Sequence, residues 1–367
     1  MPRFVAAFIF FTVIFFSLAT ISYGAPVSAH HCALVEAETG DLVYEYDGNT
    51  KAPMASTTKI MTAVIALENG KLDKRVTIPR EATGIEGSSI YLKEGETLTL
   101  EELLYALMLE SANDAATAIA VEIGGSVDNF VEMMNHKAKE LGLFNTHFTN
   151  PHGLDNEEHY TTACDLARLA SYAMKNPVFE EIASTKKRII PLSDDGSRVL
   201  INHNKLLRLY DGTIGVKTGF TKRSGRCLVS CAERNGIKLI CVTLNASNDW
   251  NDHKALLDFG FTQYERIMLA DSGDYTVSLN LINGEKGSVL CSNYDSLSVT
   301  LKKGLRDGIR AVTEYDRLLS APIKKGDRVG QVVFYQGDSK IGECPLYALE
   351  SVRSLKYKKS ILERIFG

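Results

Sequence analysis

The stretch Ala55-Ser56-Thr57-Thr58-Lys59-Ile60-Met61-Thr62 sets a serine three residues before a lysine at the head of an apolar run. Ile60, Ala63, Val64 and Leu67 recur at helical spacing and Gly70 supplies a stop, so the pattern predicts a helix over 56–69. Ser56 then sits at the positive end of that helix, with Lys59 on the same face about 5–6 Å away by Cβ. A hydroxyl becomes a nucleophile when a base takes its proton. A lysine serves as that base only when burial or a neighbouring cation lowers its pKa. Ser184-Thr185-Lys186-Lys187 repeats the spacing and reads as a solvated surface segment. A Ser-x-x-Lys match arises about once by chance in a chain of this length.

Working outward, Ser111-Ala112-Asn113 falls between predicted helices over 98–109 and 114–123, with further helices over 127–141 and 162–175. A hydroxyl and a carboxamide there can relay a proton and hold a substrate amide. Lys217-Thr218-Gly219 lies on a predicted strand, 215–218. A lysine with a threonine hydroxyl can bind a carboxylate, while glycine lets a substrate backbone approach closely. Lys217 is also the like charge that keeps Lys59 neutral. Segments 33–37 and 42–46 flank Thr39-Gly40-Asp41 as a hairpin, and 227–234 joins 238–244 through Asn235-Gly236. Strands at both ends with helices between predict an antiparallel sheet flanked by helices in one α/β (α+β) domain. After a helical stretch over 252–264, short alternating runs from 275 to 346 predict a small all-β domain.

With 367 residues, 45% hydrophobic and 23% charged, the chain has length for two globular domains. A net charge of -4 is of the wrong sign for a nucleic-acid partner. Arg3 precedes an apolar run over 4–21, and Val27-Ser28-Ala29 offers a small-residue cleavage site, so 1–29 reads as a signal peptide and the protein as extracytoplasmic. An uncleaved membrane anchor is the rival reading. The seven cysteines are scattered and odd in number and do not form a disulfide framework; an oxidising compartment leaves room for a Cys291–Cys344 bridge, against which free thiols are the favoured reading. No Cys/His cluster has zinc spacing, and no metal or cofactor is expected. Segment 351–367 interleaves Arg353, Lys356, Lys358, Lys359 and Arg364 with Leu355, Ile361, Leu362, Ile365 and Phe366, a basic amphipathic tail suited to a membrane surface.

Ser-x-x-Lys, Ser-x-Asn and Lys-Thr-Gly in that order are the shared signature of penicillin-binding proteins and class A β-lactamases. The wording around them is closer still. The quoted box at Ser56, Ser111-Ala112-Asn113-Asp114-Ala115-Ala116 and Gly215-Val216-Lys217-Thr218-Gly219-Phe220-Thr221 resemble the three boxes of the serine-type D-alanyl-D-alanine carboxypeptidase family, the low-molecular-weight penicillin-binding proteins. Asn150-Pro151-His152-Gly153-Leu154-Asp155 and Tyr160-Thr161-Thr162-Ala163 also look like family segments. The resemblance covers 33–264. It implies a β-lactamase/transpeptidase-like domain over 30–268, a β-rich appendage over 269–350 and the tail over 351–367. It further implies that Ser56 attacks the penultimate D-alanine carbonyl of a peptidoglycan stem peptide and Lys59 takes its proton. Ser111 passes a proton to the leaving amine, and Asn113 holds the stem peptide. The N–H groups of Ser56 and Phe220 form the oxyanion hole beside Gly219, and Lys217 with Thr218 binds the terminal carboxylate. β-Lactam antibiotics would acylate the same serine.

Two departures stand out. Some relatives carry arginine in an Asn-x-Asn segment before the third box, where this chain has Asn202-His203-Asn204. Some place another arginine beyond the Asn235-Gly236 hairpin, where this chain has Asn248-Asp249-Trp250-Asn251-Asp252. Carboxylate recognition is left to Lys217 and Thr218, or to His203. Three alternatives remain: a class A β-lactamase, for which no Glu-x-x-x-Asn occurs between Asn113 and Lys217; a non-hydrolysing β-lactam sensor, for which no second spanning segment is seen; and a pseudoenzyme, against which all three boxes are intact.

Overall fold

The computed structural model describes residues 27–191 and 196–355. The expected leader lies outside them except for its last three residues, as does the expected tail beyond 355.

β1 (Ala29–Glu36) and β2 (Leu42–Tyr46) form the N-terminal hairpin, after which the chain leaves the sheet. It runs through α1 (Lys59–Asn69), a ribbon of β3 (Arg75–Thr77) and β4 (Thr97–Thr99), then α2 (Leu100–Leu109) and α3 (Asn113–Gly124). α4 (Val127–Glu140), α5 (Ala163–Ala173) and α6 (Pro177–Ser184) complete the helical layer. A second ribbon, β5 (Lys187–Pro191) with β6 (Ser197–Ile201), and the short α7 (Leu206–Leu209) lead back to β7 (Thr213–Thr221), β8 (Gly225–Arg234) and β9 (Ile237–Ala246). The sheet order is β2-β1-β9-β8-β7, antiparallel throughout, and so is assembled from both ends of the domain as the pattern predicts.

β9 reads as a continuous apolar run because both of its faces are covered. On one side α8 (Asp249–Gln263) lays down Leu256 and Leu257; on the other, Ile240 and Val242 join the core of α1, α2 and α5. α2 is apolar nearly all round, with Leu100, Leu103, Leu104, Leu107, Met108 and Leu109 each buried, as expected of a helix surrounded by others. A capping box starts it: Thr99 Oγ1 accepts the Glu102 N–H while Glu102 accepts the Thr99 N–H. α8 begins three residues before its predicted start. α6 is an addition, although Asn176-Pro177 carries a helix-start signature: Asn176 Oδ1 accepts the Val178 and Phe179 N–H groups, and proline occupies the first helical position. Ser184 ends this helix and Lys186 and Lys187 are exposed, so the second Ser-x-x-Lys is a surface segment.

β10 (Tyr264–Ala270) follows α8 with no connecting residue. β11 (Val277–Asn280), β12 (Ser288–Ser292), β13 (Leu297–Lys302), β14 (Ile309–Glu314), β15 (Arg328–Gln336) and β16 (Ser339–Ala348) complete the predicted all-β unit. β10 pairs with β13, and the rest form a sheet of order β11-β12-β16-β15-β14 around Val289, Val332, Phe334 and Leu346. The Cys291–Cys344 bridge is not formed; all seven cysteines are free. Cys291 on β12 stands opposite Ala348 on β16, four residues from Cys344, an offset of about 13 Å at ~3.3 Å per residue that no disulfide spans. Among the described residues no helix is long and apolar enough to cross a membrane.

Candidate active site

Ser56 lies on a 3-10 turn, Ala55–Thr58, that feeds directly into α1, so the single predicted helix is a tight turn followed by an α-helix. The threonines of the turn lock it: Thr57 Oγ1 donates to Met54 O (2.6 Å) and Thr58 Oγ1 to Ala55 O (2.8 Å). Ala55 is held at φ 46°, a left-handed conformation worth about 1–2 kcal/mol of strain for a residue with a Cβ. The segment around 149–154 holds it there. Gly153, at φ 90°, lies so close that a Cβ on it would stand 2.0 Å from Ala55 O. Asn150 Oδ1 accepts the Gly153 N–H (2.7 Å), and Thr62 Oγ1 donates to Pro151 O (2.6 Å). His159 Nδ1 accepts the Thr149 N–H (2.9 Å), which leaves the ring proton on Nε2 facing Thr58 Oγ1 (2.7 Å). Burial pushes His159 down to about 3, so it is a neutral structural bridge and not a base.

Lys59 is fully buried at the start of α1. Its Nζ has three neighbours: Ser56 Oγ at 3.2 Å, Asn113 Oδ1 at 2.6 Å and His152 O at 2.6 Å. Two of these are carbonyl oxygens, which can only accept. As a donor Nζ serves all three; once neutral, the amine keeps both carbonyls with its two N–H groups and turns its lone pair to the Ser56 hydroxyl. Burial, then the nearby Lys217, holds Lys59 well below its ordinary value, opposed by Asp114. Lys217, on β7 and equally buried, donates to Thr218 O (3.0 Å), and burial lowers it to about 7 against the pull of Glu110. The Asp114 carboxylate accepts from Ser89 Oγ (2.6 Å), Leu92 N (3.0 Å) and Ala115 N (2.9 Å), and thus ties the 89–92 segment to the start of α3. Asn113 Nδ2 donates to Glu86 O (2.6 Å), leaving one amide N–H for another acceptor.

Ser56, Ser111, Thr218, Gly219 and Phe220 line one cleft of about 270 Å³, together with His203, Arg226 and Trp250. Gly219 is where β7 presses on the nucleophile turn: a Cβ there would stand 3.1 Å from Ser56 N and 3.2 Å from Met54 O. Ser111 adopts φ 59°, and its buried Oγ has no partner among the described residues, an orphan hydroxyl beside an open cleft. Asn113 and Lys217 stand behind this front row, both buried. His203 reaches the cleft with Nε2 3.1 Å from Glu110 Oε2. The three boxes are therefore brought together from α1, the α2–α3 junction and β7. Two contributors escaped the sequence reading. The carbonyl of His152 is a backbone group, signalled only by the turn-forming Asn150-Pro151 before it. Arg226 stands opposite Phe220 in the β7–β8 ladder, and the short hairpin between those strands is its only signal.

Comparison with known proteins gives the same answer. The family model described as D-alanyl-D-alanine carboxypeptidase matches residues 19–248, and that of the penicillin-binding protein 5 C-terminal domain matches 264–354. The chain is 33% identical to the D-alanyl-D-alanine carboxypeptidase DacF of Bacillus subtilis over 92% of this chain and 89% of that one. Among solved structures, penicillin-binding protein 5 of Haemophilus influenzae superposes with a TM-score of 0.65 at 28% identity, covering 90% of this chain and 99% of that one. A peptidoglycan synthesis regulatory factor (PBP3) of Streptococcus pneumoniae superposes with a TM-score of 0.75 at 26% identity, over 90% and 100%. With sheet, cleft and both family models in agreement over most of its length, the chain belongs to the D-alanyl-D-alanine carboxypeptidase family.

Proposed function

We propose that this chain is a serine D-alanyl-D-alanine carboxypeptidase that works through an acyl-enzyme on Ser56. The observation that carries the proposal is the placement of Lys59, a fully buried amine held by two carbonyl oxygens with its Nζ 3.2 Å from Ser56 Oγ. Neutral Lys59 takes the Ser56 proton as Oγ attacks the penultimate D-alanine carbonyl of a stem peptide. The backbone N–H groups of Ser56 and Phe220 stabilise the oxyanion. The orphan hydroxyl of Ser111 delivers its proton to the departing D-alanine nitrogen and is reprotonated by the proton Lys59 took from Ser56, which leaves Lys59 neutral again. Lys217 with Thr218 holds the carboxylate. Asn113 keeps Lys59 in register and offers its remaining amide N–H to the stem peptide. Water then hydrolyses the ester, releasing the shortened peptide and restoring Ser56. A penicillin follows the same first step, opening its lactam onto Ser56.

The test is release of D-alanine from a diacylated Lys-D-Ala-D-Ala peptide, with mass spectrometry of the penicillin adduct on the same preparation. D-Alanine release with the adduct on the Ser56 peptide is expected. An adduct on Ser184, or rapid penicillin turnover without D-alanine release, would overturn the assignment.

The proposal extends to place: the leader over 1–29 supports export, and the five basic residues of 351–367, against one acid, support attachment to an anionic membrane surface. Co-sedimentation with anionic vesicles should weaken in high salt and disappear on deletion of 351–367, with D-alanine release retained. Equal sedimentation with and without the tail would exclude it as the anchor.

A further inference from the structure

The leaving D-alanine carries its carboxylate one carbon beyond the scissile nitrogen, so the anion must lie in the cleft close to the oxyanion site. Among the cations there, Lys217 is buried behind the front row and spends one N–H on Thr218 O, and His203 faces the Glu110 carboxylate. Arg226 is different. It stands opposite Phe220 on the adjacent strand, lines the same cleft as Thr218, and its side chain is 42% exposed.

The guanidinium is already oriented. Nε (3.0 Å) and Nη2 (2.6 Å) both donate to a single oxygen, Oδ1 of Asp249, whose side chain is 4% exposed and whose Oδ1 also accepts the Trp250 N–H (2.9 Å). The Trp250 ring lies 5.5 Å from the guanidinium carbon. One edge of the fork is thus fixed by the N-terminus of α8, and the remaining N–H groups, those of Nη1 among them, meet no acceptor among the described residues. An arginine held along one edge and open along the other matches the planar geometry of a second carboxylate.

We propose that Arg226 is the carboxylate-recognition arginine of this site, joining Lys217 and Thr218 in gripping the terminal carboxylate of the stem peptide and that of penicillins. The proposal rests on the carboxypeptidase reading and deepens it. Asp249 and Trp250 are positioning residues for Arg226, which accounts for an Asp-Trp pair where some relatives carry an arginine.

The experiment compares acylation by a penicillin free acid with acylation by its methyl ester, in the wild type, Arg226→Gln and Arg226→Lys. Loss of a charge-assisted hydrogen bond corresponds to roughly 10–100-fold. Arg226→Gln should therefore lose about that factor toward the acid, change little toward the ester, and raise KM for the D-Ala-D-Ala peptide. Arg226→Lys should recover part of the preference for the acid. The ester also reports whether the variant is folded: an equal loss toward both forms means that Arg226 acts only structurally and overturns the proposal. An unchanged acid-to-ester ratio overturns it too, while leaving the carboxypeptidase reading intact. Failure of wild type to react with either form overturns both.

Discussion

Lys59→Arg is expected to slow acylation of Ser56 by about 10³-fold, within the span usually supplied by a general base. Arginine stays protonated at every accessible pH, so the lone pair facing Ser56 disappears while a cation remains. Because a guanidinium also overfills the space beside Asn113 and His152, Lys59→Met is the companion variant; it removes the base without burying a charge, should fold, and should be equally inactive. The pH profile carries the sign. Lys59 must be neutral to accept a proton, so kcat/KM rises as pH passes through its depressed pKa. Lys217 must be charged to attract a carboxylate, so kcat/KM for a carboxylate substrate falls as pH rises through about 7. The two apparent values belong to the lysine pair and not to either residue alone. With a penicillin methyl ester the alkaline decline should shrink, since no carboxylate needs Lys217. An active Lys59→Arg enzyme would move the base elsewhere.

Gly153→Ala should be the most damaging single methyl in the protein's loops. The new Cβ would stand 2.0 Å from Ala55 O and 2.5 Å from its carbon, on a residue at φ 90°. Relief requires either Ala55 to leave its strained conformation or residues 149–154 to back away, and each displaces a partner of the nucleophile or of Lys59. A displacement near 1 Å in a reacting constellation is worth about 100-fold in rate, and the collision with the strain should remove about 2–4 kcal/mol of stability. Gly84→Ala separates the two causes. Gly84 is at φ 70° with nothing within 4 Å of its Cβ position, so it meets the conformational strain without the collision, about 1–2 kcal/mol. Denaturant unfolding and penicillin acylation rates check both. If Gly153→Ala behaves like Gly84→Ala, the segment is not a brace for the nucleophile.

The fold and the front row of the site were legible because they rest on local patterns. Ser56 and Lys59 share a helix start, and Lys217, Thr218 and Gly219 share a strand; periodicity alone puts each pair in register. The β8–β9 hairpin follows from Asn235-Gly236 in the same way. What was illegible depends on contacts between distant segments. His152 contributes a main-chain carbonyl, to which its side-chain identity is no guide. His159 carries no signal of its own in the sequence, and its burial between Thr58 and Thr149 is what marks it as a structural bridge. Arg226 depends on hairpin register and on Asp249, which arrives from α8, beyond the intervening β9. The β5–β6 ribbon was missed because its strands alternate weakly around exposed Ile189, Val199 and Ile201.

Two lysines buried without a carboxylate in direct contact also set the acid–base balance of folding itself. Below about pH 7 Lys217 is charged in the folded and the unfolded chain, and the fold bears the full penalty of hiding it. As pH climbs toward the ordinary lysine value the folded chain releases that proton while the unfolded chain keeps it, so folding is favoured. The buried thiols act in the opposite sense. Burial raises Cys227 to about 11 and lifts Cys241 well above its ordinary value, so above pH 9 the unfolded chain ionises first and is favoured. On the acid side His253 and His159, both near 3 when folded, draw protons into the unfolded chain below pH 6.5. Over the interval from about 7 to 9, then, the protein gains resistance to unfolding through the same deprotonation that weakens its hold on a carboxylate. Durability and substrate capture are drawn from one proton, in opposite directions.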